Sequence, residues 1–191
     1  MKTIMENKNA STRMGIKKIA IFDYDNTLFF TDAACKMASN DVLNKKLTRS
    51  KIKKLPLDVR VKIFTLASRK YWKMYKVNNS VIERCQSLKL QGYYIIVIST
   101  RWNTVKRYTI KSLVKENIPF QKLVLDRKNS RDGEKFKINY LKSLLGKYEK
   151  YAFFDDSINI MQKLRKFPSF DKVSLYLVKG TKIMEYKRKN S

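Results

Sequence analysis

Histidine is absent from the 191-residue sequence, and acids are scarce: 16 Asp and Glu stand against 43 Lys and Arg. Without an imidazole, acid and base chemistry near neutral pH falls to carboxylates, Lys, Tyr or Cys. Cysteine is nearly missing too. Cys35 and Cys85 lie in helix-like segments with no second Cys beside either. That spacing excludes a disulfide framework and a zinc cluster, and it points to a reducing, cytoplasmic setting. No apolar run approaches the roughly 18 residues a membrane span needs. The opening "MKTIMENKNASTRMGIKK" also lacks the apolar core of a secretion signal, so no membrane partner is expected.

What remains is a strongly basic chain, with a formal net charge of +27 and 43% hydrophobic residues. That hydrophobic content suffices for one packed domain. The charge selects polyanions, nucleic acid and nucleotides among them, as electrostatic partners. A genome biased toward Lys codons would enrich Glu about as readily, so compositional drift does not account for the imbalance.

Five apolar, β-branched or aromatic runs stand out: "KKIAIF" (17–22), "YYIIVI" (93–98), "KLVL" (122–125), "YAFF" (151–154) and "VSLYLV" (173–178). Most are continuous rather than alternating, as strands buried on both faces are. Helical stretches separate them. "NSVIERCQSLKLQG" offers Ser80 and Glu83 as a capping box and Gly92 as a stop. "WNTVKRYTIKSLVKENIP" predicts a second helix, "EKFKINYLKSLLG" a third, and Ser157 to about Phe167 a fourth. This alternation predicts an α/β fold with a parallel five-stranded sheet flanked by helices and with ligands at the carboxyl ends of the strands. Residues 31–79 interrupt the rhythm without a strand signal and read as a helical insert, placed as a lid. The expected division is a flexible N-terminus (1–14), a core (15–30 and 80–180), the insert (31–79) and a basic C-terminal tail (181–191).

The scarce acids sit in conspicuous places. "DYDNT" puts Asp23 and Asp25 two positions apart at the end of the first apolar run. A calcium loop would want Gly and Glu where the chain has Leu28 and Ala34. A turn-and-cap role is the plain structural alternative. The third reading is phosphoryl transfer, in which one carboxylate attacks phosphorus and the other carries protons. Two adjoining carboxylates repel and need a cation, and Mg²⁺ suits oxygen ligands that face a phosphate. "FFDDS" supplies Asp155 and Asp156 at another strand end, and "VISTR" offers Ser99, Thr100 and Arg101 as donors to phosphate oxygens. Lys135 and Lys137 stand at a helix start, where the helix terminus favours an anion.

In "DYDNT", "VIST", Lys137 and the "DD" at 155 and 156, the chain resembles the haloacid dehalogenase (HAD) superfamily phosphatases. The resemblance implies a Rossmann-like core with a small helical cap insert after the first strand. It implies Asp23 as the nucleophile that forms an aspartyl-phosphate, Asp25 as general acid and base, and Ser99 and Lys137 as phosphoryl ligands. It further implies Mg²⁺ held by Asp156, Asp155, the Asp23 carboxylate and the Asp25 main-chain carbonyl. An acid at position 25 is what the phosphatases and phosphotransferases of the superfamily have and its dehalogenases lack. "FDYDNTLF", "FKINYL" and "FFDDS" are also similar to a subgroup associated with RNA repair. A small insert leaves room for a bulky phosphorylated substrate, and the basic surface favours a nucleotide or a nucleic-acid end, with Tyr71, Trp72, Tyr75 and Trp102 available for stacking or for core packing. The rival readings are a nucleic-acid-binding protein on a non-catalytic scaffold, against which the filled catalytic positions argue, and a phosphotransferase.

Overall fold

The computed structural model describes residues 17–126 and 132–187. The expected flexible segment 1–14 lies outside them. A six-stranded sheet forms the centre: β1 (Lys18–Asp23), β4 (Tyr94–Trp102), β5 (Lys122–Asp126), β6 (Lys150–Asp155), β7 (Val173–Lys179) and β8 (Lys182–Glu185), in the order β5-β4-β1-β6-β7-β8. The five strands expected from the sequence are present and parallel. The sixth, β8, runs antiparallel to β7 where a basic tail was expected. It was not legible because its four residues are mostly exposed and carry no continuous apolar run.

Alternation along β1 divides the core in two. Ala20 and Phe22 face a layer with Val81, Ile82, Cys85 and Leu88 of α4 (Asn79–Leu90) and Leu113 of α5 (Lys106–Lys115). Ile19 and Ile21 face α6 (Gly133–Lys142) and α7 (Ile158–Arg165) through Ile138, Leu141, Ile160, Met161 and Leu164. Because both sides of each central strand are covered, uninterrupted apolar sequence is what those strands need. Across β1, β6 and β7 the rings of Phe22, Phe154 and Tyr176 stack with centroids 4.4 and 4.5 Å apart.

The insert is helical, but two short strands bracket it: β2 (Phe29–Phe30) pairs antiparallel with β3 (Lys76–Val77), a two-residue strand inside a segment that showed no strand signal. Between them lie α1 (Asp32–Leu43), α2 (Arg49–Ile52) and α3 (Leu57–Arg69). Ala34, Cys35 and Ala38 on α1 and Ile63 and Ala67 on α3 are buried, and the small side chains let the two helices approach closely. The Thr48 side chain caps α2 by accepting from the Lys51 amide, and Ile52, fully buried, pins this single turn and so places Arg49.

Two local expectations are corrected. The capping box of Ser80 and Glu83 does not form, since α4 begins two residues earlier with Asn78 as its cap and no side-chain capping bond. The strand expected over 93–98 extends to Trp102, with an irregularity in its pairing to β5 between Ser99 and Trp102. Ser99, Thr100 and Arg101 are therefore strand residues, re-aimed by the bulge.

Candidate active site

Strand register builds the site. Phe22 pairs with Phe154, so Asp23 and Asp155 leave β1 and β6 at the same level, and Asp23 pairs with Ile98, which sets Ser99 one step beyond. Asp155 is fully buried and Asp23 nearly so. On the other side of the pair, α6 starts at Asp132, whose side chain accepts from the Lys135 amide, and its first turns carry Lys137 inward. The Lys137 ammonium lies 2.6 Å from Asp23 Oδ1 and 2.7 Å from Asp155 Oδ2.

Lys137 is buried and Lys135 is exposed, so of the two lysines only Lys137 reaches the acids. Lys135, the other lysine expected to bind phosphate, is not brought to the acid cluster. Lys137 stands one turn before the buried Leu141, and that phase turns Lys135 away from the core.

Carboxylate oxygens of Asp23, Asp155 and Asp156 lie within 4.8 Å of one another. One ammonium facing three carboxylates leaves negative charge uncompensated. Burial, with Asp155, Asp156 and Asp25 adding to it, pushes the Asp23 carboxyl well above the usual range against the pull of Lys137. Burial works against the Lys137 charge, but Asp155 and Asp23 outweigh it and hold the ammonium firmly protonated. Asp156 is raised by burial and by Asp155, and Lys137, Arg49 and Lys53 oppose the rise. The donor set fits Mg²⁺: it is all oxygen and comes from three carboxylates gathered at one point. Asp23, Asp155 and Asp156 are the side chains that would hold it.

Asp25 points elsewhere. Its carboxylate accepts Arg101 Nε at 3.0 Å and Arg101 Nη2 at 2.8 Å, and also Arg49 Nη1 at 3.0 Å. Thr31 donates to the same carboxylate at 3.0 Å and accepts from Arg49 at 2.8 Å. Burial alone would push Asp25 up; Arg101 and Arg49 outweigh it and hold the carboxyl well below the usual carboxylate range. Among the described residues, the Asp25 side chain is thus outside the acid cluster, and any part it has in metal binding falls to its main chain.

Ser99 is buried and its hydroxyl donates to Asp25 Oδ2 at 3.4 Å while accepting from the Arg101 amide at 3.2 Å. Arg101, expected to touch substrate, is fully engaged as it stands: beyond Asp25 it donates to Ser68 at 3.2 Å, and its guanidinium lies over the rings of Tyr24 and Tyr75, 4.2 and 5.0 Å from their centroids. Thr100 packs against Gly133, where an added Cβ would meet Thr100 Cγ2 at 2.5 Å. Of the aromatics considered for stacking, Tyr75 is buried in the core, Trp72 packs against it, and Tyr71 donates to Asp41 at 2.7 Å. Trp102 alone of the four lines the cavity above the acids.

That cavity, of about 320 Å³, is bounded by Asp23, Asp25, Lys137 and Asp156 on the core side and by Arg49, Lys53, Arg60 and Phe64 on the insert side. Arg49, Thr31 and Ser68 were not found from the sequence. They lie six to about forty residues beyond Asp25 with no local pattern. The one available signal was that a buried carboxylate in so basic a chain needs cationic partners.

The fold is similar to that of haloacid dehalogenase-like hydrolases of known structure. A chain of the Pnkp1/Rnl/Hen1 complex superposes with a TM-score of 0.58 at 20% identity, over 92% of this chain and 50% of that one. This chain thus spans about half the length of the repair-complex chains it matches. A haloacid dehalogenase-like hydrolase from Streptococcus pneumoniae gives 0.58 at 12% identity, over 85% and 84% of the two chains. A predicted phosphoglycolate phosphatase from Haemophilus somnus gives 0.54 at 16% identity, over 85% of each. No protein-family model and no curated protein matches the chain. Among the described residues no helix is long and apolar enough to cross a membrane.

Proposed function

We propose that the protein is a Mg²⁺-dependent phosphatase that hydrolyses a phosphomonoester through an aspartyl-phosphate on Asp23, and that its substrate is a nucleotide or a nucleic-acid end. The observation that carries this reading is the convergence of Asp23, Asp155, Asp156 and Lys137 at the carboxyl ends of β1 and β6, with Asp25 two residues from the nucleophile. When bound, Mg²⁺ supplies charge stabilisation to the phosphoryl oxygens and lowers the repulsion between the acids.

The remaining roles fall to the chain itself. An Asp23 carboxylate oxygen attacks phosphorus and the alkoxide departs, leaving an acyl phosphate on Asp23. Lys137, held at 2.6 Å from that carboxylate, neutralises charge on the transferring group, with the start of α6 behind it. Asp25 hands a proton to the leaving alkoxide and later takes one from the water that attacks the acyl phosphate. With two arginines on it, Asp25 is set as the base; protonation for the first step needs at least one of them to let go.

The substrate class is supported by the net charge of +27 and by the cationic insert side of the cavity. Two neighbours belong to an RNA repair complex, which favours a nucleic-acid end over a sugar phosphate. A panel of nucleotides, 3′- and 5′-phosphorylated oligonucleotides, sugar phosphates and phosphopeptides, with Mg²⁺ or with chelator, tests the proposal. Nucleotides or oligonucleotides lead in Mg²⁺ and lose turnover in chelator on this account, whereas a clear preference for sugar phosphates rejects the substrate class.

A further inference from the structure

The insert side of the cavity carries charge of one sign. Arg49, Lys53 and Arg60 line it and no carboxylate of the insert does. Arg49 is occupied by Asp25. Among the described residues neither Lys53 nor Arg60 forms an ion pair. Arg60 Nη1 donates to the Lys53 main-chain carbonyl at 3.3 Å, and Arg60 Nε is buried without a hydrogen-bond partner. A buried donor left unmade is costly, and a water or a ligand oxygen would satisfy it.

A phosphoryl group reacting at Asp23 and Lys137 uses only the core side. At about 320 Å³ the cavity is near the lower bound of ligand pockets, which run from about 300 to 1,000 Å³. Phe64 and Trp102 line it, and Lys53, also on its lining, is exposed to solvent, so further phosphates of a chain that leaves the cavity on that side pass Lys53.

We propose that Lys53 and Arg60 form a second anion subsite, which selects a phosphomonoester that carries a further phosphate, as the phosphorylated end of a nucleic acid does in its last phosphodiester. The proposal rests on the phosphatase reading for the place of the reacting group and goes beyond it in assigning recognition to the insert.

The test is equilibrium binding by calorimetry, in Mg²⁺, to Asp23→Asn protein, which holds substrate without turning it over. Dinucleotides with a terminal 3′- or 5′-phosphate are compared with the matching nucleoside monophosphates. The better dinucleotide binds about 10-fold more tightly, the gain of one charge-assisted phosphate contact. Adding Lys53→Ala and Arg60→Ala brings that ratio close to one. Should Arg60→Ala unfold the protein, Lys53→Glu at its exposed position carries the same test and lowers the ratio. No preference in the parent, or an undiminished preference in these variants, overturns the subsite. A protein that shows the preference yet hydrolyses no phosphomonoester keeps the subsite and loses the phosphatase reading; one that turns over both ligands with equal KM does the reverse.

Discussion

Arg49, on the one-turn helix of the insert, donates to Asp25, just beyond the end of the first strand, over 3.0 Å, and so ties the insert to that acid. Arg101 completes the clamp from the sheet with two bonds of its own. Removing Arg101 leaves a buried carboxylate short of its main partner, a loss of about 3 to 5 kcal/mol. Arg101→Ala therefore lowers the unfolding midpoint strongly and Arg49→Ala lowers it less. Arg101→Lys does not restore the midpoint, because an ammonium cannot reproduce the two-point contact or the stacking on Tyr24. Thermal unfolding of the three variants checks this order.

The same clamp sets an acid-side limit on stability. The folded Asp25 carboxyl lies below its ordinary value of about 3.9, so its contribution is full above that pH and is lost as pH falls below it toward the folded value. The unfolding midpoint drops as pH falls below about 4, and Asp25→Asn makes the drop shallower. Asp23 runs in the opposite direction, since its carboxyl is raised in the folded state, and acidification relieves its cost.

Excess negative charge around Asp23 predicts stabilisation by a divalent ion. Mg²⁺ at about 100 times its Kd adds about 2.7 kcal/mol to a protein that binds it only when folded. Melting curves in Mg²⁺ and in chelator show this shift for the native sequence, and Asp156→Ala removes most of it. An equal shift in Asp156→Ala would place the ion elsewhere.

Close packing of Gly133 on Thr100 positions the start of α6, and with it Lys137. Gly133→Ala brings a Cβ to 2.5 Å from Thr100 Cγ2 and 3.1 Å from its Cβ, so something must shift. Overpacking of this kind costs about 1 to 3 kcal/mol. Thr100→Ser removes the nearer carbon and recovers part of the loss in the double variant, which a double-mutant cycle of unfolding free energies measures.

Much of this was legible because burial on both faces leaves a plain mark. The strands through Ile19, Ile96 and Phe153 carry unbroken apolar runs, and acids directly after such runs in β1 and β6 fall at one edge of a parallel sheet. Lys137 could be separated from Lys135 only once the phase of α6 was known. Strand β8 left no mark, being exposed on most of its length. Arg49 was hidden for a different reason: its partner is 24 residues away, and in a chain with 43 basic residues no single Arg stands out. Tyr75 shows the same limit, since stacking on substrate and packing in a core ask for the same side chain, and here the core has it.

The most direct measurement is chemical trapping of the acyl phosphate. Protein quenched in acid during turnover of an aryl or nucleotide phosphomonoester, then reduced with borohydride, yields homoserine at position 23 on this account, and only when substrate and Mg²⁺ are both present. An unmodified Asp23 in protein that is turning over, together with undiminished turnover by Asp23→Asn, would contradict it.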